Sequence, residues 1–259
     1  MTGYTGEPSP RTAELSGEWK LVWSDEFDEA GLPDPDKWDF DTKGNATGWG
    51  NNEAQYYTYK DTSTAMVKDG LLHITARKKD MEGKHYISAR LFTKQSWLYG
   101  RFEIRAKLPS GRGSWPALWM LPTEQAYGRW PGSGEIDIME NVGYDPAVVH
   151  GTVHTKKLNH VLKTQKGGSI NVPDAGSAFH TYTLEWEATQ CRFYVDDVRY
   201  FSFDRENDDH GLWPFDKHFR LLVNVAVGGN WGGAHGIDDD SFPLRFEIDY
   251  VRVYQKKQD

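Results

Sequence analysis

The feature that most constrains this chain is a period of two. Between residues 64 and 108 apolar side chains recur at alternate positions in short runs, 65–67, 71–77, 86–92 and 99–108, broken by turn pairs such as Asp69-Gly70 and Glu82-Gly83. Further runs of the same kind fall at 19–23, 55–59, 115–121, 147–155, 179–186, 191–198, 219–227 and 246–254. A sustained 3.6-residue apolar period is not found. Many short strands with turn signals and almost no helix define an all-β chain, a sandwich or a barrel. At 259 residues it fits one such domain. The Gly-, Pro- and Ser/Thr-rich residues 1–16 are expected to form a flexible arm ahead of an ordered unit at 17–259.

One run departs from strict alternation. In Gly134-Glu-Ile-Asp-Ile-Met-Glu-Asn141, a β-strand sets Glu135 and Asp137 on one face and Ile136 and Ile138 on the other. Alternation then calls for residue 139 beside the acids, and residue 139 is a methionine. One β-bulge near Ile138-Met139 returns Glu140 to the acidic face, and bulges concentrate beside active sites. The isoleucines demand a buried reverse side, which disfavours the competing readings of a solvated edge strand or a calcium-binding acidic cluster. Two carboxyl groups flanking one bond are what glycoside hydrolysis requires, and a separation of about 5 Å gives retention. The glutamate Cα atoms start roughly 13 Å apart at ordinary strand rise, so their side chains must lean inward on a concave surface. Mutual repulsion keeps at least one of the three acids protonated near neutral pH, separating an acid from a nucleophile.

The net charge of −8 argues against nucleic acid as the main partner, because phosphate binding relies on clustered Lys and Arg. Eleven tryptophans exceed what a core of this size needs, and a neutral ligand with apolar faces suits them. Trp115, Trp119, Trp130 and Trp231 lie beside glycines, prolines or the acidic run. Parity groups Trp115, Ala117, Trp119 and Leu121 on a face that could line a groove, with Leu118 and Met120 turned to the core. His150 and His154 share a strand face but stand too far apart for a common zinc ion, so His154 is expected to hydrogen-bond in the acidic cleft. Gly111-Arg-Gly113 lacks the context of a dinucleotide fingerprint, and no Gly-x-Ser-x-Gly elbow occurs. The single Cys191 excludes an internal disulfide and reads as a buried strand residue. No apolar run is long enough to span a membrane, so none is expected as a partner. The first residues lack the regions of a signal peptide. An extracellular protein whose leader has been removed is the expectation.

These motifs resemble glycoside hydrolase family 16, and within it the bacterial endo-β-1,3-glucanases called laminarinases, over the stretch from Trp23-Ser-Asp-Glu-Phe-Asp28 to Ile248-Asp-Tyr-Val-Arg-Val253. Glu135-Ile-Asp-Ile-Met-Glu140 is similar to the bulged catalytic motif of that family, whose mixed-linkage specialists usually carry a shorter, unbulged version. The resemblance implies Glu135 as nucleophile, Asp137 as its assistant and Glu140 as acid/base. Gly48-Trp-Gly-Asn-Asn-Glu53 resembles the segment lining the non-reducing side of the cleft, with Asn52 as substrate contact, although Ala54 stands where leucine is common. Ser88-Ala-Arg90 resembles the strand that supplies Arg90 to the glucan. Trp115-Pro-Ala-Leu-Trp119 and Gly228-Gly-Asn-Trp231 resemble the segments supplying tryptophan platforms, and His150-Gly-Thr-Val-His154 the strand whose second histidine borders the acids.

The fold so implied is a β-jelly-roll sandwich of two antiparallel sheets with a concave substrate cleft. The function implied is retaining endo-hydrolysis of laminarin-type β-glucan by a monomer, with no catalytic cofactor. One structural Ca²⁺ is implied on the convex side, at Glu26, the Gly70 carbonyl and Asp249, hard oxygen donors of the kind calcium prefers. These two acids simply hydrogen-bonding the outer sheet is the alternative. The rival functions are hydrolysis of mixed-linkage glucan or a red-algal galactan within the same family, and non-catalytic β-glucan binding.

Overall fold

The computed structural model describes residues 19–256, so the expected arm at 1–16 lies outside the described residues. The chain forms β1 (Trp19–Asp25), β2 (Trp38–Phe40), β3 (Gln55–Tyr57), β4 (Ala65–Lys68), β5 (Leu71–Met81), β6 (Lys84–Ser88), β7 (Arg90–Thr93), β8 (Gly100–Lys107) and β9 (Ser114–Pro122). It continues through β10 (Glu135–Val142), β11 (Asp145–His154), β12 (Lys166–Asn171), β13 (His180–Trp186), β14 (Gln190–Val195), β15 (Val198–Asp204), β16 (Phe219–Val227) and β17 (Leu244–Lys256). The described helical residues are two short 3₁₀ segments, Asn45–Gly50 and Asp239–Ser241, and no helix among them is long and apolar enough to cross a membrane.

Two sheets face each other across one core. The outer, ten-stranded sheet runs β15-β14-β13-β8-β17-β5-β6-β3, with β1 also paired to β17 and β4 to β5. The inner, seven-stranded sheet runs β12-β11-β10-β9-β16-β7-β2. This is the expected sandwich, antiparallel except where β3 pairs with β6 in parallel.

Alternation accounts for the core directly. Leu118, Met120, Ile136, Val149, Val153, Leu221, Val223 and Val225 point from the inner sheet toward Leu72, Ile74, Phe102, Ile104, Leu184, Phe246 and Ile248 of the outer one. The other face of the inner sheet is thereby left to carry polar and aromatic groups.

The run 86–92 is not one strand. It divides into β6 in the outer sheet and β7 in the inner one, with three consecutive buried residues, Ile87, Ser88 and Ala89, marking the crossing. Burial on both sides keeps the hydrophobic pattern unbroken although the chain changes sheet. Arg90 consequently opens β7 on the inner sheet. β12 and β15 were not expected as separate strands. Lys166-Gly-Gly-Ser-Ile-Asn171 has too few apolar residues to alternate, and β15 is set off from β14 by a tight turn at Asp196-Asp197, both at positive φ.

Candidate active site

The polar face of the inner sheet floors a cleft of about 900 Å³. β10 runs through its middle, and its irregularity is the one expected. Asp137 pairs with Trp119 and Glu140 with Ala117, so three steps on β10 match two on β9. Against β11 the same extra residue appears, between Asp137↔Thr152 and Glu140↔His150. Ile138 and Met139 both turn into the core, 1% and 0% exposed, and Glu135, Asp137 and Glu140 all face the cleft. Tyr200 donates its hydroxyl to the Ile138 carbonyl at 3.1 Å, supplying a partner where the ladder is disturbed. Gly151 leaves room for that hydroxyl, since a Cβ there would stand 2.4 Å from it. Burying Ile136, Ile138 and Met139 contributes roughly 1.5–3 kcal/mol each, which helps offset the cost of crowding three acids on the opposite side.

Each glutamate is oriented by one indole. Trp115 Nε1 donates to Glu140 Oε1 at 2.9 Å, and Trp130 Nε1 donates to Glu135 Oε2 at 3.0 Å. β11 places His154 opposite Glu135 and His150 opposite Glu140. His154 Nε2 lies 3.4 Å from Asp137 Oδ2 and 3.8 Å from Glu135 Oε1, so it does border the acids. Burial, with help from nearby His160, lowers its pKa to about 4, and it is neutral at working pH.

The three acids move the other way. Burial and then the charge of Glu140 raise Glu135 to about 8, burial raises Glu140 to about 7, and Asp137 is held well above the usual carboxylate range by burial and by both glutamates. The cluster therefore retains protons at neutral pH. These values alone would let Glu135 hold a proton as readily as Glu140, so the division of labour rests on surroundings instead. The Trp130 indole N–H and the positive charge of Arg90 both favour the anion of Glu135, whereas only the Trp115 indole does so for Glu140.

The other expected substrate contacts spread along the cleft. Arg90 lies between two rings, its guanidinium carbon 4.3 Å from the centre of Trp49 and 4.6 Å from that of Trp119, with Nε 3.3 Å from Asp41. Trp119 Nε1 donates to Asn224, whose amide donates to Tyr57. Trp231 meets Trp115 edge-on at 5.6 Å. Asn52 is the exception: it is absent from the cleft lining and donates instead to Asn230, which does line the cleft, as does Asn51.

Trp49 and Glu53 line the cleft as their 48–53 segment was expected to, although within it the sequence singled out only Asn52 as a contact; His160, which also lines the cleft, carries no signal in the sequence. Gly48 and Gly50, both at positive φ, flank Trp49 and were the available signal. Glu53 looks like any surface acid in sequence, yet it is buried and accepts from Gln55 at 2.6 Å.

The expected calcium donors lie on the outer sheet. Along one edge β17 is paired to β5 as far as Ile248↔Leu72 and then to β1 from Val251↔Asp25. Asp249 falls in the gap, at an irregularity of β17 against β8. Gly70 immediately precedes β5 and Glu26 immediately follows β1, so backbone pairing brings all three to one place. Glu26 accepts from Arg252 Nε and Nη2 at 3.0 and 2.8 Å, and Asp249 pairs with Arg105.

Comparison with known proteins agrees with this geometry. The chain is 57% identical over 252 residues to a β-glucanase of Rhodothermus marinus, covering 94% of this chain and 87% of that protein. The X-ray structure of the laminarinase from Rhodothermus marinus superposes with a TM-score of 0.90 at 56% identity, covering 93% of this chain and 98% of that one. A non-specific endo-β-1,3(4)-glucanase, SCLam, superposes with a TM-score of 0.89 at 46% identity, covering 95% and 94% of the two chains. Residues 51–252 match the model for glycosyl hydrolases family 16. On the fold, the bulged acidic strand and these matches together, the chain belongs to glycosyl hydrolases family 16.

Proposed function

We propose that the protein is a retaining endo-β-1,3-glucanase acting on laminarin-type glucans. The observation that carries this reading is the bulge in β10, which turns Glu135, Asp137 and Glu140 onto one face in the middle of a tryptophan-lined cleft. In the first step a Glu135 oxygen forms a bond to the anomeric carbon while the glycosidic C–O bond breaks and Glu140 gives its proton to the departing oxygen. In the second, Glu140 takes a proton from water, the water oxygen bonds to the anomeric carbon, and Glu135 leaves as carboxylate. Asp137 holds a proton toward Glu135 and steadies its anion. Trp115, Trp119, Trp130 and Trp231 offer ring faces to successive sugars, and Arg90 is held flat for the same chain.

Laminarinase relatives support β-1,3 linkage, and the likeness to a non-specific endo-β-1,3(4)-glucanase supports some activity on mixed-linkage glucan. The test is a panel of laminarin, curdlan, lichenan, barley glucan and agarose, with products resolved by size and the first-formed anomer followed by NMR. Oligosaccharides of several lengths released as the β-anomer, fastest from laminarin, are expected. A first-formed α-anomer or preferred cleavage of agarose would refute the reading.

The same reading includes a structural calcium at Glu26, the Gly70 carbonyl and Asp249. Three residues with hard oxygen donors border one gap in strand pairing, and ion binding there would compete with Arg252 and Arg105 for the two carboxylates.

A further inference from the structure

The acidic face also offers a set of metal-ligand atoms. One donor atom each from Glu135, Asp137 and His154 lie within 4.8 Å of one another. A tetrahedral ion with ligand bonds of roughly 2.1 Å holds its ligands roughly 3.4 Å apart. His154 Nε2 and Asp137 Oδ2 already stand 3.4 Å apart, and Glu135 Oε1 is 3.8 Å from the same nitrogen. A second observation points the same way. Asp137 Oδ2 is buried and makes no hydrogen bond, and its side chain is only 5% exposed. A buried oxygen in that condition has an opening for a cation once the carboxyl releases its proton to solvent, as metal binding requires.

We propose that Glu135, Asp137 and His154 bind a transition-metal dication of the zinc or copper(II) class, which blocks the hydrolytic centre reversibly by occupying it in place of sugar. One imidazole and two carboxylates suit these ions, whereas magnesium and calcium seek about six oxygen ligands. The fourth coordination position faces the cleft, where water can complete it. His154 Nδ1 has no acceptor. A missing outer partner of this kind weakens metal binding by roughly 10- to 100-fold, which makes the ion a dissociable inhibitor and not a fixture. The inhibition rests on the hydrolytic reading of β10. The binding does not.

The test is calorimetric titration of the full chain with ZnCl₂ at pH 7.5, repeated on His154→Ala and with excess laminari-oligosaccharide present. Laminarin hydrolysis is assayed in parallel, with MgCl₂ as control. A binding event lost in His154→Ala and suppressed by oligosaccharide is expected. So is a zinc-dependent rise in apparent KM of tenfold or more at constant kcat, with no effect of magnesium. Zinc binding unchanged in His154→Ala, or inhibition that leaves KM unaltered, would overturn the proposal. Anomalous scattering at the zinc edge from the unaltered protein gives the answer even if the variant folds poorly: a peak among the three ligand atoms supports the site, and its absence there refutes it. An inactive chain that still binds zinc at His154 would remove the hydrolytic reading and the inhibitory role while leaving the metal site. An active enzyme indifferent to zinc would overturn this inference alone.

Discussion

Replacing Glu135 with Gln should stabilise the protein, and by more as the pH rises. Burial and the neighbouring Glu140 raise the carboxyl from its ordinary 4.5 to about 8 in the folded chain. A raised carboxyl pKa means that, between these values, the folded state binds a proton that the unfolded chain releases. Stability therefore falls as pH climbs through that window, and the loss is complete above about pH 8. At about 1.4 kcal/mol per pH unit the ceiling is about 5 kcal/mol. Glu140 and Asp137 remain in the variant and share the repulsion, so about half of that, 2–3 kcal/mol, should be recovered. Gln keeps the shape and an oxygen acceptor for Trp130. The assay is thermal unfolding at pH 5 and pH 8.5. At about 2–4 °C per kcal/mol for a domain near this size, Glu135→Gln should melt about 4–12 °C higher than the parent at pH 8.5 and only slightly higher at pH 5. An equal gain at both pH values, or a loss at pH 8.5, would show that the carboxyl is not held protonated by its surroundings.

Removing the indole donor to Glu140 by Trp115→Phe takes a stabilising group from its anion and so raises its pKa; the alkaline limb of the kcat/KM profile should move up by several tenths of a pH unit, with the acidic limb nearly fixed. Tyr200→Phe deletes the hydroxyl under the bulge and should cost about 1 kcal/mol in chemical denaturation, with a several-fold fall in kcat and little change in KM. Arg90→Lys keeps the charge but loses the flat contact with Trp49 and Trp119, and should raise the KM for laminarin about tenfold in steady-state kinetics. Calcium at ~100 times its dissociation constant should stabilise the fold by ~2.7 kcal/mol, seen as a rise in melting temperature that EGTA reverses and Asp249→Ala abolishes.

The sandwich was readable because a period of two, once established, assigns the face of every following residue. The bulge was readable for the same reason, since Met139 stands where the period demands an acid. Legibility failed where that period says nothing. Residues 86–92 alternate without interruption, yet the chain leaves one sheet for the other at Ala89, because a residue buried between two sheets looks alike from either side. β12 is glycine-rich and mostly exposed, held by pairing with β11 and not by its own apolar face. Trp49 and His160 reach the cleft from irregular segments whose path depends on long-range contacts. Glu53 is an ordinary acid in sequence, and only the closing of Gln55 and Tyr57 around it reveals a buried carboxylate. The motif points to Asn52, but that residue, at positive φ, donates its side-chain amide to Asn230, and its neighbour Asn51 lines the cleft.

The bulge in β10 also makes the length of the catalytic strand independent of its neighbours. Asp137 and Glu140 meet Trp119 and Ala117 on one side and Thr152 and His150 on the other, two residues apart in each case. Deleting one residue between them would restore simple alternation without moving either adjoining strand, and the acids would keep their places over the cleft. The change would be felt on the reverse side, where one of the two buried side chains, Ile138 or Met139, would vanish from the core at a cost of about 2–5 kcal/mol if the space stayed empty. A one-residue insertion or deletion here is thus a change of packing disguised as a change of active site. Lineages could gain or lose it whenever the core beneath can refill.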